Sequence, residues 1–363
     1  MWTSGTGPLL PGGASPSGTR RDGSEPGGPL PDLAGVTWII VAALLFGSQF
    51  VFHKYCPGFG PGAYNITMAL GILLGAAAAQ PLLGLSSMPV MLGALAFAGG
   101  MVWVFGNLLL VYAVASAGMA RAFIIVNFTA VFSFFGGIAF LGELPALTAP
   151  RLGLIVTGIG LVMAGAFLVG TTVPRNRVQG AGGRGKDGRG QQGSGAEGNG
   201  GNGPGTDGAR MRRGLVAVFI ATLFFSTYNA MIAFAINREG APAGPTLGLL
   251  APGAVAGAVL AAAVAGGGSL SAWRAAPRKW HLLALAQGLV WAAAMACIMF
   301  GWMGTGIAMG TPVQVGTQTL VSSLWGIVMF GELRDVGDRR GAYAKFISGA
   351  ALTVGGIALI TFT

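Results

Sequence analysis

Enzymatic chemistry needs a nucleophile, a base and an acid within reach of one another, and this chain offers few candidates. Of its 11 acidic residues, only Glu143, Glu239 and Glu332 border the long apolar segments. His53 and His281 sit at the ends of two such segments, far apart in the chain. Cys56 and Cys297 match no metal-ligand spacing. The Gly-rich runs lack the strand–loop–helix context and the lysine of a phosphate loop. No catalytic set is expected, nor a metal or cofactor site.

Polar residues inside the apolar segments carry more information. In hydrocarbon such a side chain must meet a protein partner or a water-filled cavity. Gln49, Trp103, Asn107 and Asn127 lie in the first half of the chain, and Tyr228, Trp291, Gln314 and Gln318 in the second. Amides can pair with adjacent hydroxyls, and an indole can cover an apolar C–H face, so this set could line a cavity for a small polar solute. The competing reading of each residue is glue between helices, since Asn and Gln often bond a neighbouring helix. Lys54 and Arg121 near segment ends, with Glu143 and Glu332, are candidates for gating or charge pairs. Glu143 and Glu332 each close a helix whose dipole opposes them, so each needs a partner. By sidedness Glu143 shares a face with Arg151, and Glu332 with Lys54 and Arg121. Pro312 is expected to break its segment near the start.

Ten apolar segments, each near the roughly 20 residues that cross a bilayer, must hold these groups. They run over about 35–54, 63–83, 90–114, 118–141, 152–171, 214–236, 246–266, 281–303, 306–330 and 343–362. Their order contains an echo. G-x-V-W recurs at Gly100–Trp103 and Gly288–Trp291, and each copy leads through two apolar segments to Gly-Glu-Leu, at Gly142–Leu144 and Gly331–Leu333. Five segments in each half force the halves to insert with opposite orientation. The expected fold is all-α and integral to the membrane, with ten transmembrane helices as two inverted five-helix repeats, a plan typical of secondary transporters. The expected units are a Gly/Pro/Ser-rich tail at 1–34, repeats at 35–171 and 214–363, and a flexible basic linker at 172–213.

Composition agrees with a membrane chain. Only 9% of residues are charged and 53% are hydrophobic, against about 25% charged in soluble domains. The net charge of +10 does not point to nucleic acid, because the basic residues lie in the breaks between apolar segments. Of 21 Lys and Arg, 17 fall on the linker side and 4 on the other, which places the linker in the cytosol by the positive-inside rule. The expected partners are the bilayer and a small solute, with association to a second copy left open. Which membrane holds the chain is not given by the sequence.

Four blocks carry a family resemblance: Phe46–Lys54 (FGSQFVFHK), Gly99–Asn107 (GGMVWVFGN), Gly288–Trp291 (GLVW) and Leu324–Glu332 (LWGIVMFGE). Together they resemble the eukaryotic transmembrane protein 144 family. Its members are proposed carbohydrate transporters, related to bacterial glucose/ribose porters within the drug/metabolite transporter superfamily. The chain departs from that family at Phe52, at Lys54-Tyr55 and at Ala115–Gly118. The resemblance implies a carbohydrate as the solute, carried by alternating access. It also implies cytosolic termini, opposite to the charge count. A carrier of another metabolite, such as a nucleotide-sugar or amino acid, is the alternative. An ion or divalent-cation pathway would want acidic residues at mid-membrane, which are scarce here.

Overall fold

The computed structural model describes residues 33–56, 58–117, 119–143, 148–172, 204–264, 268–331, 333, 336 and 338–362. Glu332, most of the Gly-rich linker and the N-terminal tail lie outside this set, as does the side chain of Arg121. The described residues form helices and no strand. In chain order these are α1 (Leu33–Ser48), α2 (Phe50–Lys54), α3 (Pro61–Leu83), α4 (Val90–Ala117), α5 (Met119–Val126), α6 (Phe128–Leu141) and α7 (Ala149–Gly170). The second half continues with α8 (Pro204–Ala233), a π-helical turn (Phe234–Arg238), α9 (Ala243–Val264), α10 (Gly268–Ala275), α11 (Arg278–Thr305), α12 (Ile307–Val328) and α13 (Arg339–Thr361).

The described residues of each of the ten apolar segments are largely helical, with ends shifted by a few residues. Among the described residues nine helical stretches are long and apolar enough to cross a membrane, which makes the chain an integral multi-pass membrane protein. The segment expected at 306–330 is the helix α12, but it is not among the nine. Thr311, Gln314, Thr317, Gln318, Thr319, Ser322 and Ser323 dilute its apolar character. A helix this polar is stable in a membrane only when other helices surround it. Much of α12 is indeed buried, from Ile307 through Gly316, and it packs against α1, α6, α7 and α13. Pro312 does not break this helix, which runs continuously through it. The proline falls in the second turn, close to the end where amides have no carbonyl partner in the helix.

Small residues set the helix spacing, since lipid leaves no hydrophobic drive between helices and close packing must hold them. A methyl group at Gly71 would strike the carbonyl of Leu285, and one at Gly253 would strike that of Phe97. Gly100 is crowded in the same way by Leu250, and Gly288 by Met68. The pairs are equivalent: α3 packs on α11 as α9 packs on α4. Likewise α1 packs on α11 as α8 packs on α4. On α7 and α13, Gly158 lies against Gly356 and Gly165 against Gly349, so these two helices run antiparallel.

Two helices are interrupted at an amide residue, between α1 and α2 at Gln49 and between α5 and α6 at Asn127. Both residues keep helical angles, φ −60° and ψ −29° at Gln49 and φ −61° and ψ −19° at Asn127. The stretches Leu33–Lys54 and Ala122–Leu141 are therefore single spans with a slackened turn in the middle.

Candidate functional site

A chamber lies near the face of the bundle where α2 ends and α3 begins. It is lined by Phe50 and His53 of the first span, Tyr64 of α3, Asn107, Leu110, Val111 and Val114 of α4, Phe123 of α5 and Gln287 of α11. An apolar wall with a few convergent polar groups is the usual build of a small-molecule site. None of these lining residues is Lys, Arg, Asp or Glu.

The polar groups are already ordered by one another. The Tyr64 hydroxyl donates to Gln287 Oε1 across the two halves of the chain. Among the described residues, Gln287 Nε2 then donates only to the soft sulfur of Met68, at 3.4 Å. That leaves its N–H ready for a better acceptor. Asn107 Nδ2 donates to Asn65 Oδ1 at 2.5 Å, and Asn65 Nδ2 donates to the Pro61 carbonyl at 3.0 Å. Asn107 has therefore spent one amide N–H, which leaves its carbonyl oxygen and its second N–H to offer a solute. His53 meets Tyr64 edge-on, with ring centroids 4.7 Å apart. The chamber thus presents both a donor and an acceptor held in place before a ligand arrives.

Several residues expected from sequence lie one helical turn deeper. Gln49 is four residues before His53, Trp103 four before Asn107, and Asn127 four after Phe123. Residues four apart share a helix face, so these form a layer below the chamber. Trp103 packs on Trp291 with ring centroids 4.4 Å apart and planes at 48°. Phe46 meets Trp291 edge-on at 6.3 Å. Both indoles are buried, so each covers the other. Asn127 donates to the Phe123 carbonyl at 2.7 Å and accepts from Thr319 Oγ1 at 2.9 Å. The Oε1 of Gln49 is buried and has no partner among the described residues.

The other expected residues fall elsewhere. Gln314 Nε2 donates to Gln318 Oε1 at 2.8 Å along α12. Tyr228 is buried and meets Phe225 edge-on. Beside it, Asn229 donates to Ser133 Oγ at 3.4 Å, while its Oδ1 is buried without a partner among the described residues. The Lys54 ammonium lies 3.9 Å from the centroid of the Phe330 ring. Arg121 belongs to α5, and Glu332 lies outside the described residues.

Glu143 departs from the expectation of a cationic partner such as Arg151. Its Oε1 accepts from the Ile307 amide at 3.0 Å and its Oε2 from the Ala308 amide at 2.9 Å. These are first-turn amides of α12, which lack carbonyl partners in their own helix and carry its positive dipole end. The carboxylate that opposes the end of its own helix therefore complements the start of another. Burial pushes the Glu143 carboxyl up from its ordinary range, and the two amides oppose that rise.

Tyr64 and Gln287, the pair that joins the halves in the chamber, are not singled out by sequence. Gln287 stands alone in an apolar run, and Tyr64 reads as an interfacial residue at the start of a span. The available signal was the polar residue one position before the second G-x-V-W motif, Gln287, where the first copy has Gly99.

Residues 33–172, the first five spans, match the family described as Sugar transport protein. Proteins of Streptococcus pyogenes serotypes M1 and M3, named as candidate sugar uptake proteins, are 39% identical over 71 residues. That stretch covers 20% of this chain and spans only 24% of the length of those relatives. A solved crystal structure shares the fold at a TM-score of 0.52, with 17% identity over 88% of this chain and 95% of that one.

Proposed function

We propose that this chain is a secondary transporter that carries a neutral sugar across its membrane by alternating access. The observation that carries the reading is the chamber itself. Tyr64, Gln287, Asn107 and Asn65 offer an ordered donor and acceptor among apolar walls, above a layer of paired indoles. A sugar presents hydroxyls that both give and accept hydrogen bonds, and apolar ring faces. The match of the first five spans to a sugar transport family and the likeness to candidate sugar uptake proteins support it. A chamber wall free of charged side chains favours a neutral solute over a nucleotide-sugar or amino acid, whose charges would need partners in low dielectric.

The proposed frame is ten spans, with α12 as the tenth, in two inverted repeats of the drug/metabolite transporter kind, with the transmembrane protein 144 family as the branch it resembles. Support comes from the matching glycine contacts in the two halves and from the antiparallel course of α7 and α13, the fifth helix of each. In this reading a solute enters the chamber and passes the Trp103–Trp291 pair as the halves rock. No bond of the solute is made or broken, so the protein acts as a carrier rather than an enzyme.

The test is uptake by sealed vesicles containing the purified chain, with labelled neutral sugars, amino acids and nucleotide-sugars offered side by side. Saturable uptake of one or more neutral sugars is expected. Uptake confined to a charged metabolite would replace the reading with that of another carrier.

A further inference from the structure

The chamber lies at one face of the bundle, and the opposite face is held by a different set of bonds. From the chamber face α3 runs away, α4 returns, and α5 with α6 runs away again. The end of α6 and the start of α12 are therefore at the far face. There, three side chains tie four spans together. Glu143, just after α6, holds the Ile307 and Ala308 amides of α12. Arg238, at the end of the π-helical turn, donates from Nη1 to the Phe140 carbonyl of α6 at 2.8 Å. Asn237 donates to the Trp302 carbonyl of α11 at 3.0 Å. The Glu143 and Arg238 bonds use backbone groups at helix ends, which have no partner in their own helix, whereas the Trp302 carbonyl also accepts from the Gly306 amide at 2.8 Å.

The seat of the Glu143 carboxylate is shaped for it. Gly142 adopts φ +71°, which turns the chain back over the end of α6 and brings residue 143 toward α12. Gly306 adopts φ +74° and directs the first amides of α12 outward. A methyl group at Gly306 would lie 2.9 Å from the carboxylate, and one at Gly137 would lie 2.7 Å from Oε2. Bare glycines on two helices leave room for one carboxylate between them.

We infer that Glu143 is the latch of a gate that closes the bundle at the face opposite the chamber, with Arg238 and Asn237 as its companions. The inference rests on the transport reading, since only a solute that crosses needs this face to open. Opening separates α6 from α12, so the two amide bonds break and water reaches the buried start of α12. Thr311 lies one turn inside the latch and is fully buried while it is closed. Glu143 touches no solute and acts only through the position of α12.

The experiment reads the gate without any solute, so its failure is separable from failure of the sugar reading. Thr311→Cys is placed in the full chain carrying Cys56→Ser and Cys297→Ser, and its reaction with a bulky hydrophilic maleimide is timed on purified protein. Leu110→Cys in the same background reports the chamber. With Glu143→Ala, labelling at position 311 should rise about tenfold, as expected when charge-assisted hydrogen bonds are lost from one of two states. Arg238→Gln should give a smaller rise, and position 110 should not gain. Should Glu143→Ala fail to fold, Glu143→Gln carries the same reading, because its amide NH2 would face a backbone N–H. Unchanged labelling at 311 in a folded variant, or an equal rise at 110 and 311, overturns the latch.

Discussion

The helices α4 and α11 begin alike and then part. Each carries a glycine, Gly100 or Gly288, pressed against the carbonyl of a neighbouring helix, and three residues on a tryptophan, Trp103 or Trp291. The two indoles meet each other at the centre. One turn further, α4 has Asn107 in the chamber wall, while the equivalent position of α11 is Met295, buried in the core. One position before the glycine the asymmetry is reversed, with Gly99 on α4 and Gln287 on α11. The pairing of helices is thus repeated in both halves, whereas the polar groups gather on one side. Packing needs small residues wherever two helices cross, and that need is the same in each half. Recognition needs a donor and an acceptor in one place only.

This difference can be broken by substitution. Trp103→Ala and Trp291→Ala each remove a buried indole and should each cost about 3–5 kcal/mol of stability. The double variant should lose less than the sum, because the rings touch. Thermal unfolding of the purified protein checks both points, and a large gap between the single variants would break the equivalence. Gly71→Ala and Gly253→Ala should come next, each destabilising by about 1–3 kcal/mol through overpacking against a carbonyl. Matching losses of melting temperature would sharpen the comparison, and a loss at one site alone would count against it.

Chemistry should split the halves where packing does not. Asn107→Ala should weaken solute binding several-fold, in line with about 0.5–1.5 kcal/mol for one hydrogen bond. Met295→Ala should lower stability and leave affinity unchanged, which isothermal titration on folded protein can read. The smallest effect is expected from pH at Glu143. The latched carboxyl is buried and binds its proton more tightly than a hydrated one. Acidification from the raised value toward the ordinary carboxylate range should then favour the latched form. Labelling at Thr311→Cys relative to Leu110→Cys, a ratio that removes the thiol's own pH dependence, should fall over that window, and Glu143→Gln should abolish that change.

Much of the scaffold was legible in the sequence. Gly-, Pro- and charge-bearing breaks located the nine helical stretches that, among the described residues, are long and apolar enough to cross a membrane, because hydrocarbon length and backbone satisfaction constrain each one locally. The character of α12 was less visible: its polar residues were read as candidate ligands, while four of its helical neighbours enclose it. Trp103, Asn107 and Gln49 could be found because they interrupt apolar runs. Tyr64 and Gln287 could not be paired, since 223 positions separate them and only the fold brings them together. The partner of Glu143 was missed for a related reason. A carboxylate at the end of a helix calls for a cation, and the structure supplies two backbone amides, which carry no residue signature.

The account stands on the chamber as a sugar site, and equilibrium binding of labelled neutral monosaccharides to the purified chain tests that most directly. The predicted result is saturable binding of at least one sugar, weakened several-fold by Asn107→Ala and by Gln287→Ala and untouched by Met295→Ala. Binding that survives both chamber substitutions at full affinity, or no binding of any neutral sugar by folded protein, would contradict it.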